Sequence, residues 1–308
     1  MPDVAVGLVG VGAWGKLILR DLISLGCAVT VVVRDEGRRR HALESGAVVA
    51  VARIEDLPDD LQGIVVATPT ATHAEVTEAL LSRNVPLFVE KPLTNDATAA
   101  TRIAERAADR VFVMHKWRYH PGIELLGQIA RSEELGPVVG LRTVRVGWGN
   151  PHADVDGVWI LAPHDISIAL EVLGTIPEPH SAVAETVNGT TSGLVALLGD
   201  DPWFAFDVST THPVRLREIR LICRDGIATL PDPYMDHVLV TRGEILGDVT
   251  RDEETRPIST EFPLLRELRA FVEHLEGGPP PRSSAAEGAA EVAVVERLRQ
   301  LAGLAEAR

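Results

Sequence analysis

A glycine turn directly follows the first apolar segment of the chain, and it constrains the fold more than any other feature. Residues 4–15 read VAVGLVGVGAWG, an apolar strand-like run that leads into glycines at G-x-G-x-x-G spacing. In a dinucleotide-binding turn, Gly10 allows the tight bend, Gly12 the approach of a pyrophosphate, and Gly15 the packing of the next helix on the strand. The sequence therefore predicts a dinucleotide site here. The alternative is three turn glycines in an α/β domain without a ligand.

Strand-like and helix-like segments alternate through residues 1–118. The strand candidates are 4–10, 28–33, 48–51, 63–67, 86–90 and 111–115, and the helix candidates are 14–25, 36–45, 72–83 and 95–108. Such alternation is typical of a doubly wound parallel sheet with helices on both faces. We therefore predict an α/β fold class, with a Rossmann dinucleotide-binding domain over 1–118.

The pattern changes after Pro121, which indicates a second, α+β domain over 119–280. Helices are predicted at 122–131, 163–173 and 263–276, and strand-like runs at 138–148, 181–188, 193–199, 203–210, 214–224 and 236–242. These segments predict a large, open, mostly antiparallel sheet that is half exposed. An exposed apolar face often becomes a subunit interface, so we expect a homodimer or homotetramer. The alternative is that the helices cover one face and water the other. Residues 281–308 are expected to form a helix that packs back toward the first domain.

Composition narrows the class of protein. The 308 residues fit two domains, and the formal net charge of −14 argues against nucleic acid as a partner. No apolar run is long enough to span a membrane, and the N-terminal residues lack a charged leader, so a cytoplasmic location is expected. Cys27 and Cys223 are expected to stay reduced, and no residue spacing indicates a metal site.

The end of the second predicted strand bears on the choice of cofactor. An NAD-binding chain usually has an acid there for the ribose hydroxyls, whereas here Val33 is followed by Arg34 and then Arg38. A guanidinium in place of an acid favours the 2′-phosphate of NADP. The alternative is that the arginines form a solvated helix start diluted by Asp35 and Glu36, so NAD stays open.

A lysine lies at the end of the fifth predicted strand, in the segment FVEKP. Pro92 fixes the bend, so Lys91 is held on a rigid element. A partly desolvated lysine there can exchange a proton with a substrate hydroxyl, while Glu90 holds the ammonium or orients the cofactor ribose. The alternative is a surface Glu–Lys pair beside a turn.

Three further segments are predicted to reach the same site. In ATPTATH, residues 67–73, Thr70 or Thr72 is expected to cap the next helix, and His73 reads most simply as a helix-surface histidine.

In APHDISIALEVLG, Pro163 is interpreted as the helix start, which puts His164 and Asp165 in the first turn. His164 would point into a cleft, and Asp165 would cap the backbone, bind substrate or serve only as a helix-end charge. The segment HKWRYHP, residues 115–121, joins the domains and packs over the nicotinamide or serves as a hinge.

These residues resemble the glucose–fructose oxidoreductase/inositol dehydrogenase/MocA family over nearly the whole chain. The matching motifs are GVGAWG, TPTATHAEVTEALL, EKP, WRYHP and LAPHDISIALEVLG. The resemblance implies an N-terminal Rossmann domain, a C-terminal domain whose open sheet forms dimers or tetramers, and NAD(P)-linked oxidation or reduction of a secondary alcohol. It also implies that Lys91 matches the family's lysine and His164 its substrate-side histidine.

Two positions depart from the family pattern. Ile160 stands where the family commonly has an acid, and Ser167 stands at another position that is often acidic. These departures keep two alternatives to a sugar dehydrogenase open: an imine or carbonyl reductase of secondary metabolism, and a non-catalytic NAD(P)-binding sensor.

The leading hypothesis is an NADP-preferring oxidoreductase acting on a CH–OH group of a sugar, nucleotide sugar or cyclitol, with Lys91 and His164 as catalytic residues. The predicted cofactor-binding residues are Gly10, Gly12, Ala13, Trp14, Gly15, Arg34, Arg38, Thr68, Pro69, Thr70, His73, Glu90, Lys91 and Arg118. The predicted substrate-binding residues are Lys91, Tyr119, Trp148, His164 and Asp165, and no metal is expected.

Overall fold

The computed structural model describes residues 4–150, 154–243 and 251–304. The chain divides into two compact units, the first formed by Met1–Lys116 with Leu264–Val292 and the second by Trp117–Pro263 with Ala293–Arg308. Within the described ranges, no helix has the length and apolar character needed to cross a membrane.

The first unit contains a six-stranded sheet whose strands all run parallel, in the order β3-β2-β1-β4-β5-β6. The strands are β1 (Ala5–Val9), β2 (Ala28–Val32), β3 (Val49–Val51), β4 (Gly63–Val66), β5 (Leu87–Glu90) and β6 (Val111–Met114). Their short, nearly all-apolar sequences are typical of strands that are covered on both faces. This is the doubly wound sheet that the sequence predicts.

Four helices connect these strands: α1 (Ala13–Ser24), α2 (Glu36–Glu44), α3 (His73–Leu80) and α4 (Ala97–Ala107). Asp35 and Asp96 begin α2 and α4, because each carboxylate accepts backbone N–H groups of the first helical turn. The connections therefore agree with the predicted alternation of strands and helices.

The second unit contains an eight-stranded sheet in the order β14-β13-β12-β11-β7-β10-β9-β8. Its strands are β7 (Val138–Trp148), β8 (Pro179–Val187), β9 (Thr190–Leu198), β10 (Trp203–Ser209), β11 (Thr211–Cys223), β12 (Gly226–Leu230), β13 (His237–Arg242) and β14 (Asp252–Pro257). All pairs are antiparallel except β7 with β10, so the sheet is mixed. The strands β12 and β14 are absent from the sequence prediction.

Two helices, α5 (Pro121–Ser132) and α6 (Gly157–Leu173), pack against this sheet. Side chains on the other face are more exposed, and they include the apolar Val183, Val195 and Leu197. The predicted half-exposed sheet is therefore present, with its helices on one face.

The helix α7 (Pro263–Leu275) requires a correction to the predicted division of the chain. We predicted it within the second domain, 119–280, yet Leu264–Val292 belong to the first unit. The ring of Phe271 stacks on that of Phe88 in β5 at 4.8 Å, and Leu268 is fully buried. The last helix, α8 (Ala285–Leu301), contains the third boundary between the units, after Val292.

Candidate functional site

The glycine turn has the backbone geometry that a dinucleotide site needs. Gly10 has φ +97°, and a Cβ there would lie 2.5 Å from Ala67 O. A Cβ on Gly15 would lie 2.3 Å from Gly10 O, so α1 packs directly on the turn. By contrast, a Cβ built on Gly12 would have no described atom within 4 Å apart from those of Gly12 and its two chain neighbours. The backbone at Gly12 and the first N–H groups of α1 are thus left accessible to a pyrophosphate.

Two further chain segments meet this turn at one edge of the sheet, which we call the carboxyl edge. Strands β1, β4 and β5 are parallel neighbours in register, with Val9 opposite Val66 and Val66 opposite Val89. The residues that follow them therefore lie side by side: Gly10 after β1, Thr68 after β4 and Lys91 after β5. A ligand usually binds at this edge of a doubly wound sheet, where the strand order reverses.

Lys91 lies on a bend that Glu90 helps to fix. Glu90 is buried, and its Oε2 accepts the backbone N–H of Lys91 at 2.9 Å. Burial raises the pKa of Glu90, while the nearby cations Lys91 and Lys116 oppose that rise. The Lys116 ammonium lies 4.1 Å above the centre of the Trp14 ring. Trp14, a predicted cofactor residue, thus contacts this charged cluster.

Glu267 on α7 is a second carboxylate in the cluster, and the sequence did not point to it. Its side chain is fully buried, and neither oxygen has a hydrogen-bond partner among the described residues. Burial and the neighbouring Glu90 raise the pKa of Glu267 well above its usual value, against the opposing charge of Lys116. The cluster therefore favours a protonated carboxyl beside the Lys116 ammonium. Lys116 was missed too, although it follows β6 and so reaches the same sheet edge.

His73 is not a surface residue, which corrects the simplest interpretation of its position. It is 1% exposed, with Nδ1 2.8 Å from Pro92 O and Nε2 2.9 Å from Thr68 O. Both acceptors are carbonyls, so only an imidazole that carries both protons donates to the two at once. His73 joins the segments after β4 and β5 and holds the carboxyl edge together.

The threonines of this segment do not cap α3, contrary to the prediction. The residue at its N-cap is Thr72, whose side chain makes no capping hydrogen bond. Its hydroxyl donates instead to Pro69 O at 2.7 Å and lies 2.9 Å from Thr68 Oγ1, within hydrogen-bonding distance. Thr70 is buried in the short 3₁₀ turn, Thr70–Thr72, while Pro69 is exposed. The turn is held by its own backbone and hydroxyl contacts.

The arginines after β2 divide into two kinds. Arg34 and Arg38 are exposed, and the Asp35 carboxylate accepts the backbone N–H of Arg38 at 2.7 Å. Arg39 turns back, and its Nη1 donates to Val33 O at 3.0 Å and to Arg34 O at 2.5 Å. Both predicted cofactor arginines thus have exposed side chains close to the end of β2.

In the second unit, α6 begins six residues before the predicted start at Pro163. The Asp156 carboxylate accepts the N–H groups of Val158 and Trp159, and Pro163 lies inside the helix. His164 and Asp165 are therefore in the middle of α6, and the assignment to its first turn is wrong. Pro163 was a misleading signal because the stronger N-cap lies upstream.

Asp165 pairs with an arginine that the sequence analysis did not identify. The guanidinium of Arg145 on β7 donates from Nε to Asp165 Oδ2 at 2.6 Å, and both side chains are buried. The same guanidinium lies 4.8 Å from the centre of the Trp117 ring. The His164 ring lies perpendicular to the Trp117 ring, with the two ring centres 6.0 Å apart. His164, Asp165, Arg145 and Trp117 thus form one cluster.

The remaining predicted residues of this unit have different environments. Arg118, a predicted cofactor residue, pairs with Glu171 of α6 at 3.1 Å, which favours the packing alternative. Tyr119 is buried, whereas Trp148 at the end of β7 is 78% exposed. Among the described residues there is no group of three or more His, Cys, Asp or Glu side chains placed to hold a metal ion. Cys27 and Cys223 are both free and buried.

The strand order, the glycine turn and the lysine after β5 define a Rossmann-fold protein of the dinucleotide-binding class. The model of the oxidoreductase family with an NAD-binding Rossmann fold, named for glucose–fructose oxidoreductase, inositol dehydrogenase and MocA, matches residues 4–115. This match, over about a third of the chain, confirms for residues 4–115 the family resemblance that the sequence predicts.

Relatives with assigned names agree with this family. UDP-N-acetylglucosamine 3-dehydrogenase of Acidithiobacillus ferrooxidans is 26% identical over 59% of this chain and 58% of its own length. Inositol 2-dehydrogenase 2 of Saccharopolyspora erythraea is 26% identical over 94% of this chain and 91% of its own length. The solved structure of the former enzyme has a TM-score of 0.84 at 21% identity and covers 98% of both chains, which shows the shared fold. For the first curated relatives the match spans about half of their length, 58% and 43%.

Replacing Glu267 by glutamine is expected to stabilise the protein increasingly as the pH rises. Because the pKa of Glu267 is raised in the folded state, the folded protein binds the carboxyl proton more tightly than the unfolded chain does. The wild-type protein therefore loses stability as the pH rises from the ordinary pKa of a glutamate toward the pKa of Glu267 in the folded state. Each unit of pKa difference is worth about 1.4 kcal/mol.

The measurement is the melting temperature of Glu267→Gln minus that of wild type, followed from about pH 4 to about pH 8. The difference should grow with pH, whereas Glu273→Gln, at an exposed position of the same helix, should give a flat difference. A flat difference for both variants would contradict the buried, protonated assignment.

Proposed function

We propose that the protein is an NAD(P)-dependent oxidoreductase that moves a hydride between nicotinamide and a secondary alcohol or ketone of a sugar, nucleotide sugar or cyclitol. The observation that carries the proposal is the position of Lys91 at the carboxyl edge, one strand from β4 and two from the glycine turn. The two curated relatives named above are sugar-nucleotide and inositol dehydrogenases, which supports the substrate class.

The residues of the first unit suit a proton transfer that accompanies hydride transfer. A bound nicotinamide supplies the hydride acceptor or donor. In the oxidation direction, the Lys91 amine takes the proton of the substrate hydroxyl as the C–H bond breaks, and in reduction its ammonium returns that proton to the forming alkoxide. Glu90 and Pro92 hold the bend, so the amine needs little reorganisation.

Residues of the second unit have a separate role, which is to orient the substrate. His164 is half-buried against Trp117, and we propose that it orients the substrate by hydrogen bonding. Asp165 is fully buried and paired with Arg145, so we propose that it fixes this cluster and acts on the substrate only through it.

A non-catalytic dinucleotide sensor is the second candidate, and one observation favours it. Ile160 is buried and apolar, and the Ser167 hydroxyl donates to His164 O at 2.8 Å. Neither of these two positions therefore carries the carboxylate that the family commonly has there. Turnover of any polyol with either cofactor would decide for the enzyme.

We propose that the cofactor is NADP(H) rather than NAD(H), because exposed Arg34 and Arg38 stand where an acid would bind the ribose hydroxyls. Arg34→Ala should weaken NADPH binding by roughly tenfold or more, since hydrogen bonds to charged groups are worth about 1.5–3 kcal/mol, and should leave NADH nearly unchanged. Calorimetric titration measures both. Arg40→Ala is the control, because Arg40 already pairs with Glu36 at 3.7 Å. Tighter NADH binding that is insensitive to Arg34→Ala would overturn this preference.

Lys91→Ala should lower kcat by about 10²–10⁴-fold while cofactor affinity changes little, as for removal of a positioned acid–base group. Steady-state kinetics on a substrate found by screening sugars, inositols and nucleotide sugars would measure the loss. The control is Lys16→Ala, at an exposed position of α1. His164→Ala should cost less if His164 only orients substrate. Near wild-type turnover by Lys91→Ala would assign the proton transfer to another group, with His164 as the first candidate.

We propose that copies of the chain associate through the exposed face of the eight-stranded sheet as a homodimer or homotetramer. Val183, Val195 and Leu197 lie there at 71%, 54% and 42% exposure, which is costly for an apolar surface left in water. Light scattering should give at least a dimer at micromolar concentration, and Leu197→Glu should shift it toward monomer. A wild-type monomer would refute the proposal, and Val48→Glu, at an exposed valine of the first unit, is the control.

A further inference from the structure

A cleft of about 290 Å³ in the second unit lies between the ends of β7 and β10, the start of β11 and helix α6. Its lining includes Trp148, Leu161, Ser209, Arg215 and Arg217. Leu161 precedes His164 by three residues, so both side chains lie on the same face of α6. The cleft is therefore next to the residue that we propose orients the substrate.

Two of the lining residues are arginines, Arg215 and Arg217. The carboxylates of Asp232 and Asp165 nearby already pair with Arg215 and Arg145. Arg215 pairs with Asp232 at 2.9 Å and lies 5.1 Å from the centre of the Tyr234 ring. Arg217 has no carboxylate partner among the described residues, and its Nη1 donates to Val146 O at 2.6 Å and to Leu216 O at 3.2 Å. Part of its guanidinium fork is left to face the cleft.

Positive charge is concentrated around Arg217. It stands opposite Arg145 in the β7–β11 register, and Asp165 is bound to Arg145. Burial and the charges of Arg145 and Arg215 lower the pKa of Arg217 to about 10, which still leaves it cationic at neutral pH. An anion in the cleft would relieve this repulsion and would meet planar donors suited to two oxygens.

We propose that this cleft binds an anionic group of the substrate, a carboxylate or a phosphate, so that the substrate is a sugar acid or a phosphorylated sugar rather than a neutral polyol. The inference rests on the proposed function, because it names the substrate class for that site. The exposed indole of Trp148 provides an apolar wall for the sugar ring or the base that carries the anion.

The test compares ligands that share one ring and differ at a single carbon: D-glucose, D-glucuronate and D-glucose 6-phosphate, with inorganic phosphate as a probe without a sugar. Binding to the full-length protein is followed by calorimetry and by the shift in melting temperature. At least one of the two anionic sugars, or phosphate, should bind at least tenfold more tightly than glucose, and added salt should weaken that binding. Carboxylate and phosphate are distinguished by which of the two sugars binds better.

The variants Arg215→Ala and Arg217→Ala should each weaken anion binding by roughly 10–100-fold, as expected for a lost charge-assisted hydrogen bond. Arg217→Lys, which keeps the charge but loses the fork, should give an intermediate loss and guards against misfolding of the alanine variant. Arg224→Ala, at an exposed position at the end of β11 where it pairs with Asp225, should bind as wild type.

Equal binding of glucose and the anions, no binding of phosphate or either anionic sugar at millimolar concentration, or anion binding that survives Arg217→Ala would overturn the inference. Its failure can be told apart from failure of the proposed function. Turnover of neutral polyols without anion binding sinks only the inference. Anion binding that depends on Arg217, without turnover of any alcohol, sinks only the proposed function.

Discussion

The first unit depends on how closely two backbone segments approach at the carboxyl edge. A side chain at Gly10 would collide with Ala67 O, and one at Gly15 would collide with Gly10 O. These approaches bring the start of α1 against β1 and the end of β4, which leaves its N–H groups directed to a common space. His73 then ties the segment after β4 to the one after β5, because its ring nitrogens contact Thr68 O and Pro92 O on either side of the Lys91 bend.

Burying charged groups at the carboxyl edge is energetically unfavourable, yet the fold keeps them there. Glu90, Glu267 and Lys116 occupy one cluster, although burying an ionised carboxylate is strongly unfavourable without a full set of partners. The two carboxylates repel each other, which together with burial favours a state in which one carboxyl keeps its proton. A core of apolar side chains would be more stable, but it would hold no proton and no charge beside the lysine bend.

The sequence was informative where one signal acted alone. Continuous apolar strands and the glycine spacing predicted the parallel sheet and the turn because both depend on local steric rules. It failed where signals competed: Pro163 resembled a helix start, whereas the Asp156 cap and the apolar run after it begin α6 earlier.

Lys116, Glu267 and Arg145 were missed because their roles come from residues distant in sequence. Strand β14, with the sequence DEETRP, has no apolar alternation, because it lies at the edge of the sheet and its side chains are mostly exposed.

Lysine is rare in this chain, which has it only at positions 16, 91 and 116. The other side chains that are positively charged at neutral pH are arginines. Reagents that modify primary amines will therefore act on very few side chains, two of which lie at the carboxyl edge of the first sheet. Reductive methylation with a ¹³C label would place nuclear magnetic resonance probes at this edge and leave the arginines of the second unit unmarked.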